Sequence, residues 1–124
     1  MKTDHDAELE RLARAVIDCG FHIHKDLGPG LLETAYEAIL AKVLEDRGLS
    51  VQRQVAVPIK YQSVVVDNAF RIDLLVEKRL IVELKSTEQN APVHAKQVLT
   101  YLRLMELPLG LLMNFGQATF KGGL

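Results

Sequence analysis

Charged residues embedded in apolar runs constrain this chain more than any other feature. Phe70-Arg71-Ile72-Asp73-Leu74-Leu75-Val76 and Leu80-Ile81-Val82-Glu83-Leu84-Lys85 both read as strongly apolar strands, separated by Glu77-Lys78-Arg79. Charges inside such strands are costly unless they are paired or bound to a metal ion. Whether they meet depends on the register of the hairpin. A two-residue turn at Lys78-Arg79 pairs Asp73 with Leu84 and puts Asp73 and Glu83 on opposite faces. A three-residue connection pairs Val76 with Leu80 and sets Asp73 across from Glu83, with Arg71 facing Lys85 and all four charges on one face. The sequence lacks the Asn-Gly or Asp-Gly signal of two-residue hairpins, so the three-residue form is at least as well supported.

In that register two carboxylates lie about 4.5–5.5 Å apart at the backbone and repel. A divalent cation removes the repulsion, since Mg²⁺ takes oxygen ligands and often keeps several waters. Lys85, two residues beyond Glu83, then points at whatever the ion binds. It can orient or deprotonate a water, or stabilise a charged transition state. The chemistry this suggests is metal-assisted hydrolysis of a phosphodiester. Spacing alone also allows a salt-bridge ladder of Arg71, Asp73, Glu83 and Lys85 with no catalytic role.

The rest of the chain supplies a frame for these strands. Leu9, Leu12, Ala13, Val16, Ile17, Phe21 and Ile23 recur at helical spacing between Asp6 and Leu27, with Asp4 or Asp6 as the N-cap. Gly28-Pro29-Gly30 ends that helix, and a second is expected from Leu31 to Arg47, stopped by Gly48. Val51 to Ile59 alternates as a strand, with Pro58 marking an edge or an end. Val64–Val66 and Ala69–Val76 form a second extended segment with a break expected at Asp67-Asn68. A helix opening at Pro92 and running to Met105, then an apolar strand from Leu109 to Phe115, complete the order ααβββαβ. This is an α/β pattern, a mixed sheet flanked by helices. At 124 residues the chain is expected to form a single domain, residues 1–124, around one core.

Composition narrows the function classes. The single cysteine, Cys19, cannot form an internal disulfide and reads as a small buried residue. No apolar stretch approaches the roughly 18–20 residues that span a bilayer, and the N-terminus, Met1 to Asp6, is polar. A cytoplasmic protein with no membrane partner is expected. Fifteen Lys and Arg against sixteen Asp and Glu give a net charge of −1, which by itself makes no electrostatic case for nucleic acid.

Several segments together resemble a known family. The Asp-x9-Glu-x-Lys spacing of Asp73, Glu83 and Lys85 is similar to the signature of the PD-(D/E)XK nuclease superfamily. Gly30-Leu31-Leu32-Glu33-Thr34-Ala35-Tyr36 resembles the pattern that names the GxxExxY proteins, a small branch of it. Further similar segments are His24-Lys25-Asp26-Leu27-Gly28-Pro29-Gly30, Arg71-Ile72-Asp73-Leu74-Leu75-Val76, Val82-Glu83-Leu84-Lys85 and Leu111-Leu112-Met113-Asn114-Phe115-Gly116. The resemblance implies a PD-(D/E)XK-like αβββαβ core with an extra N-terminal helix. It implies Asp73 and Glu83 as ligands of Mg²⁺ or Mn²⁺, with Lys85 assisting the attacking water. Glu33 matches the acidic residue that the superfamily often supplies from the helix before the sheet, as a further catalytic or water-mediated metal ligand. Gln97-Val98-Leu99-Thr100-Tyr101 matches a QxxxY element, in which Gln97 and Tyr101 help position substrate or the lysine.

Spacing sorts the remaining polar residues. Glu33, Tyr36 and Glu37 share a helix face, and Glu37 is expected in solvent with Tyr36 in the core. His94, Gln97 and Tyr101 line one side of the third helix. His22 and His24 point in different directions and are read as structural or surface residues. Lys25, Lys60, Lys96 and Arg103, each taken alone, read as scattered surface charge.

The leading expectation is a Mg²⁺- or Mn²⁺-dependent nuclease acting on nucleic acid, DNA ahead of RNA. A chain this small offers little surface for sequence readout, which favours structure- or end-directed recognition and a possible homodimer. The alternatives are a catalytically silent nuclease-like module that binds nucleic acid or protein, and a pure protein-interaction domain. Loss of Asp73, Glu83 or Lys85 would mark the silent module, and all three are present.

Overall fold

The computed structural model describes residues 3–124; Met1 and Lys2, part of the polar N-terminal stretch, lie outside them. Helix α1 spans Asp4–Leu27 and starts from a reciprocal cap. The Thr3 hydroxyl accepts from the Asp6 N–H at 3.0 Å, and the Asp6 carboxylate accepts from the Thr3 N–H at 3.2 Å. The cap therefore falls on Thr3 rather than on Asp4 or Asp6, because Asp6 sits one turn in, where its side chain reaches back.

Helix α2 spans Glu33–Asp46, two residues shorter at its start than the apolar pattern implies. The delay comes from the connection, in which Gly28 and Gly30 hold φ of 71° and 112°, values unfavourable for any side chain. Tyr36 fixes this loop from inside the protein. Its fully buried ring stacks on Phe115, with centroids 4.5 Å apart, while its hydroxyl donates to the Gly28 carbonyl and accepts from the Leu31 N–H. The expected core position of Tyr36 holds, and the hydroxyl adds a purpose that spacing could not show.

Strands β1 (Val51–Tyr61), β2 (Val64–Val76) and β3 (Leu80–Lys85) form an antiparallel meander. Helix α3 (Pro92–Met105) then carries the chain over so that β4 (Leu109–Asn114) runs parallel to β3, giving the order β1-β2-β3-β4. Val76 pairs with Leu80, so the three-residue connection is the one formed, with Glu77 and Lys78 at φ of 53° and 55°. The break expected at Asp67-Asn68 is a bulge within a continuous strand. Val57 pairs with Phe70 and Ile59 with Val66, so residues 67–69 stand opposite Pro58, which has no N–H to give the ladder.

Two hydrophobic clusters cover the sheet. Helices α1 and α2 pack Leu12, Val16, Tyr36, Leu40 and Leu44 against Leu74, Val76, Leu80, Val82 and Leu84. On the other face, Tyr101, Leu102 and Met105 of α3 lie against Ile72, Leu75 and Ile81. A short α4 (Phe120–Gly123), not expected from the sequence, inserts Phe120 beside His24 and Phe115. His24 is structural, as expected, bonding the Gln117 carbonyl at 2.8 Å, and Cys19 is buried. Among the described residues no helix is long and apolar enough to cross a membrane.

Tyr36→Phe keeps the ring packing but strands the Leu31 N–H and the Gly28 carbonyl. A loss of about 1–3 kcal/mol is expected, read as a lower melting temperature in a chain that still folds.

Candidate functional site

The β2–β3 ladder ends at Leu74 and Val82. One residue further on, side chains replace carbonyls as acceptors. The Asp73 N–H donates to Glu83 Oε1 at 3.2 Å, and the Leu84 N–H donates to Asp73 Oδ2 at 2.9 Å. The strands part here, and the two carboxylates satisfy the backbone donors that the parting exposes. Glu83 is buried and Asp73 half-buried. The separation of the strands also corrects one expectation. Arg71 does not face Lys85; it pairs with Ala56 of β1 and is exposed, because the β2–β3 register is not continued to its position.

Glu83 is held far from its ordinary titration range. Burial pushes its carboxyl from 4.5 up to about 9, with further upward contributions from a hydrogen bond to the Asp73 carboxylate and from that group's charge. The Asp73 N–H and the Lys85 ammonium oppose the shift without cancelling it. Burial therefore favours the neutral form of Glu83 unless a positive charge is brought to it, a charge that a cation can supply. Two convergent hard oxygen donors suit Mg²⁺ or Mn²⁺, which retain water in their remaining positions. The residues present fit such an ion.

Lys85 ends β3, with its backbone paired to Asn114 and its carbonyl accepting from the Phe115 N–H. Its charge acts on both Glu83 and Glu33. The loop after it is pinned by buried Asn114, which accepts from the Thr87 N–H and donates to Thr87 Oγ1 and Asn90 Oδ1. A hollow of about 530 Å³ adjoins Lys85 and is lined also by His94, Asn90 and Leu112.

Glu33 is the first residue of α2, and burial raises its pKa, with Lys85 opposing and Asp73 and Glu37 reinforcing. It is within electrostatic range of the pair. Among the described residues no three His, Cys, Asp or Glu side chains gather as metal ligands do. Tyr101 also feels the pair: burial raises its pKa, and the charges of Glu83 and Asp73 raise it further. Its ring stacks on Phe70 with centroids 4.2 Å apart. Gln97 is exposed, one turn earlier on α3, and lines a groove with Phe70, Tyr101 and Lys96. His94 belongs to the Lys85 hollow rather than to that groove.

Three residues of the arrangement went unrecognised in the sequence. Glu37 is buried, not solvated, and its Oε2 accepts from Arg53 Nε at 3.2 Å and Nη2 at 3.0 Å. Gln54 Nε2 donates to Glu37 Oε1 at 2.6 Å and to Asp73 Oδ1 at 3.2 Å. The available signal was Arg53, which falls in phase with Val51, Val55 and Val57 in the sequence alternation; its side chain is part-exposed and its guanidinium covers buried Glu37.

The raised pKa of Glu83 means that the folded chain keeps a proton which the unfolded chain releases between its ordinary value and about 9. Its contribution to stability is full below the lower value and is lost as pH rises through the window. In the presence of a chelator, the melting temperature is expected to decline between about pH 5.5 and about pH 8.5. Glu83→Gln should flatten that decline and melt higher than the unsubstituted chain at the alkaline end, measured by thermal unfolding across pH.

No curated protein and no solved structure gives a significant match to this chain. A family model describing the PD-(D/E)XK nuclease superfamily matches residues 10–124, a span that contains every element of the sheet and both acidic strands. Nucleases of this superfamily typically use divalent metal ions. With the match extending over almost the whole sequence, the chain belongs to the PD-(D/E)XK nuclease superfamily.

Proposed function

We propose that this protein is a divalent-metal-dependent nuclease that hydrolyses phosphodiester bonds, in DNA ahead of RNA, as a single domain and within the GxxExxY branch. The observation that carries the reading is the meeting of the Asp73 and Glu83 carboxylates at the point where β2 and β3 part, with the Lys85 charge acting on Glu83. The branch assignment rests on Gly30, Glu33 and Tyr36 at their spacing.

In this proposal Asp73 and Glu83 would hold Mg²⁺ or Mn²⁺, with Glu33 as a further or water-mediated ligand. The bound ion supplies Lewis-acid polarisation of a phosphoryl oxygen and lowers the pKa of water. Lys85 orients the attacking water and stabilises charge that develops on the phosphoryl oxygens. Water oxygen joins phosphorus as an ester P–O bond breaks, leaving a phosphate monoester and a free hydroxyl. Tyr101 and Gln97 border the path of the substrate on the α3 side, where the groove they share with Phe70 and Lys96 lies. The balanced net charge limits counterion release, so affinity for a long backbone is expected to be modest and only weakly dependent on salt.

Calorimetric titration with Mn²⁺ is expected to give metal-dependent heat in the unsubstituted chain and none in Asp73→Ala. Cleavage of linear, nicked, branched and single-stranded DNA and of RNA should require the metal. Lys85→Ala should slow the best substrate about 100-fold or more while still binding Mn²⁺. Absence of metal-dependent heat at millimolar Mn²⁺ would identify an interaction module instead. Metal binding without turnover on every substrate would identify a silent one.

A further inference from the structure

The side-chain alternation of two neighbouring strands breaks at one place. On β1, Val51 packs with the α1–α2 cluster, whereas Val55 and Val57 pack with the α3 cluster. On β2, Leu74 and Val76 face α1 and α2, whereas Ile72 faces α3. Residues two apart on a regular strand keep to one face, so both strands turn over between these positions. Gln54 and Asp73 sit at that turnover. The register pairs Arg53 with Leu74 and Val55 with Ile72, leaving Gln54 opposite Asp73 without a backbone pair between them.

Gln54 has φ of 50°, a left-handed conformation in mid-strand that a non-glycine residue adopts only when its surroundings impose it. The surroundings are specific. One hydrogen of its side-chain amide goes to Glu37 Oε1 and the other to Asp73 Oδ1, while Arg53 occupies Glu37 Oε2. The Leu84 N–H holds the second oxygen of Asp73. Each Asp73 oxygen therefore has one fixed donor, and its carboxylate plane is set by contacts from two strands.

We propose that Gln54 is a positioning residue: braced by Glu37 and Arg53, its amide presets the Asp73 carboxylate for a divalent cation, and the left-handed backbone at Gln54 is what aims the amide there. This inference rests on the metal-binding role of Asp73 proposed above. It goes beyond that role by assigning part of the site's affinity to a residue that touches neither ion nor substrate. Outer partners of a ligand carboxylate commonly govern metal affinity by about 10–100-fold.

Gln54→Gly is the decisive variant, because glycine accepts the same backbone conformation without strain and lacks the amide. Calorimetry is expected to show Mn²⁺ affinity reduced about tenfold or more. The electron paramagnetic resonance spectrum of the bound Mn²⁺ should change, although the melting temperature in chelator falls because Glu37 Oε1 loses its donor. Gln54→Leu, similar in reach but unable to hydrogen-bond, should show the same loss of affinity. Unchanged affinity in Gln54→Gly, or reduced affinity with an unchanged spectrum of the bound Mn²⁺, overturns the inference while leaving the nuclease reading intact. Failure of the unsubstituted chain to take up Mn²⁺ overturns both.

Discussion

The separation of β2 from β3 beyond Leu74 and Val82 is the constraint on which the rest of the candidate site depends. While the strands pair, carbonyls accept from N–H groups and acidic side chains have no place between them. Once the strands part, two N–H donors need acceptors, and the Asp73 and Glu83 carboxylates provide them. Each acid is fixed by the other strand's backbone or by its own neighbour across the gap, so neither can rotate away without leaving a donor unpaired. Burying Glu83 is costly, and its high pKa records that cost first and the nearness of Asp73 second. Stability and ion binding thus compete for the same pair of oxygens.

Around this pair the fold places rigid supports. Helices α1 and α2 are joined by a loop that Tyr36 secures from the core, which fixes where α2 begins and therefore where Glu33 stands. Glu37, one turn further along, is buried against Arg53 and Gln54. Burying that acid is tolerable because each oxygen is hydrogen-bonded and the guanidinium approaches through two nitrogens. On the opposite side, Asn114 ties the end of β4 to the loop that follows Lys85. Three elements that are distant in sequence are in this way locked to a single end of the sheet.

Much of this was legible beforehand. Apolar runs interrupted by Asp73, Glu83 and Lys85 announced a hairpin whose charges had to meet something, and its three-residue connection formed as one of the two registers weighed. The order of helices and strands followed from periodicity, because long amphipathic elements carry a strong local signal. Glu37 was misjudged because a glutamate facing solvent and one covered by an arginine from a neighbouring strand look identical on a helical wheel; only the strand that crosses the helix distinguishes them. Arg71 was misplaced because pairing was extended through a ladder that stops. Helix α4 was missed because a single turn has too few positions to show a period.

Sequence alone therefore determined the order of the long helices and strands and the membership that the spacing of the acids suggests, since these are encoded in local pattern and composition. Tertiary structure alone decided which hairpin register brings the acids together, that Glu37 is an interior brace, and that two strands turn over at Gln54 and Asp73. Those outcomes depend on which surfaces meet once the helices cover the sheet, and burial and hydrogen-bond partners across long separations leave no periodic trace in the chain.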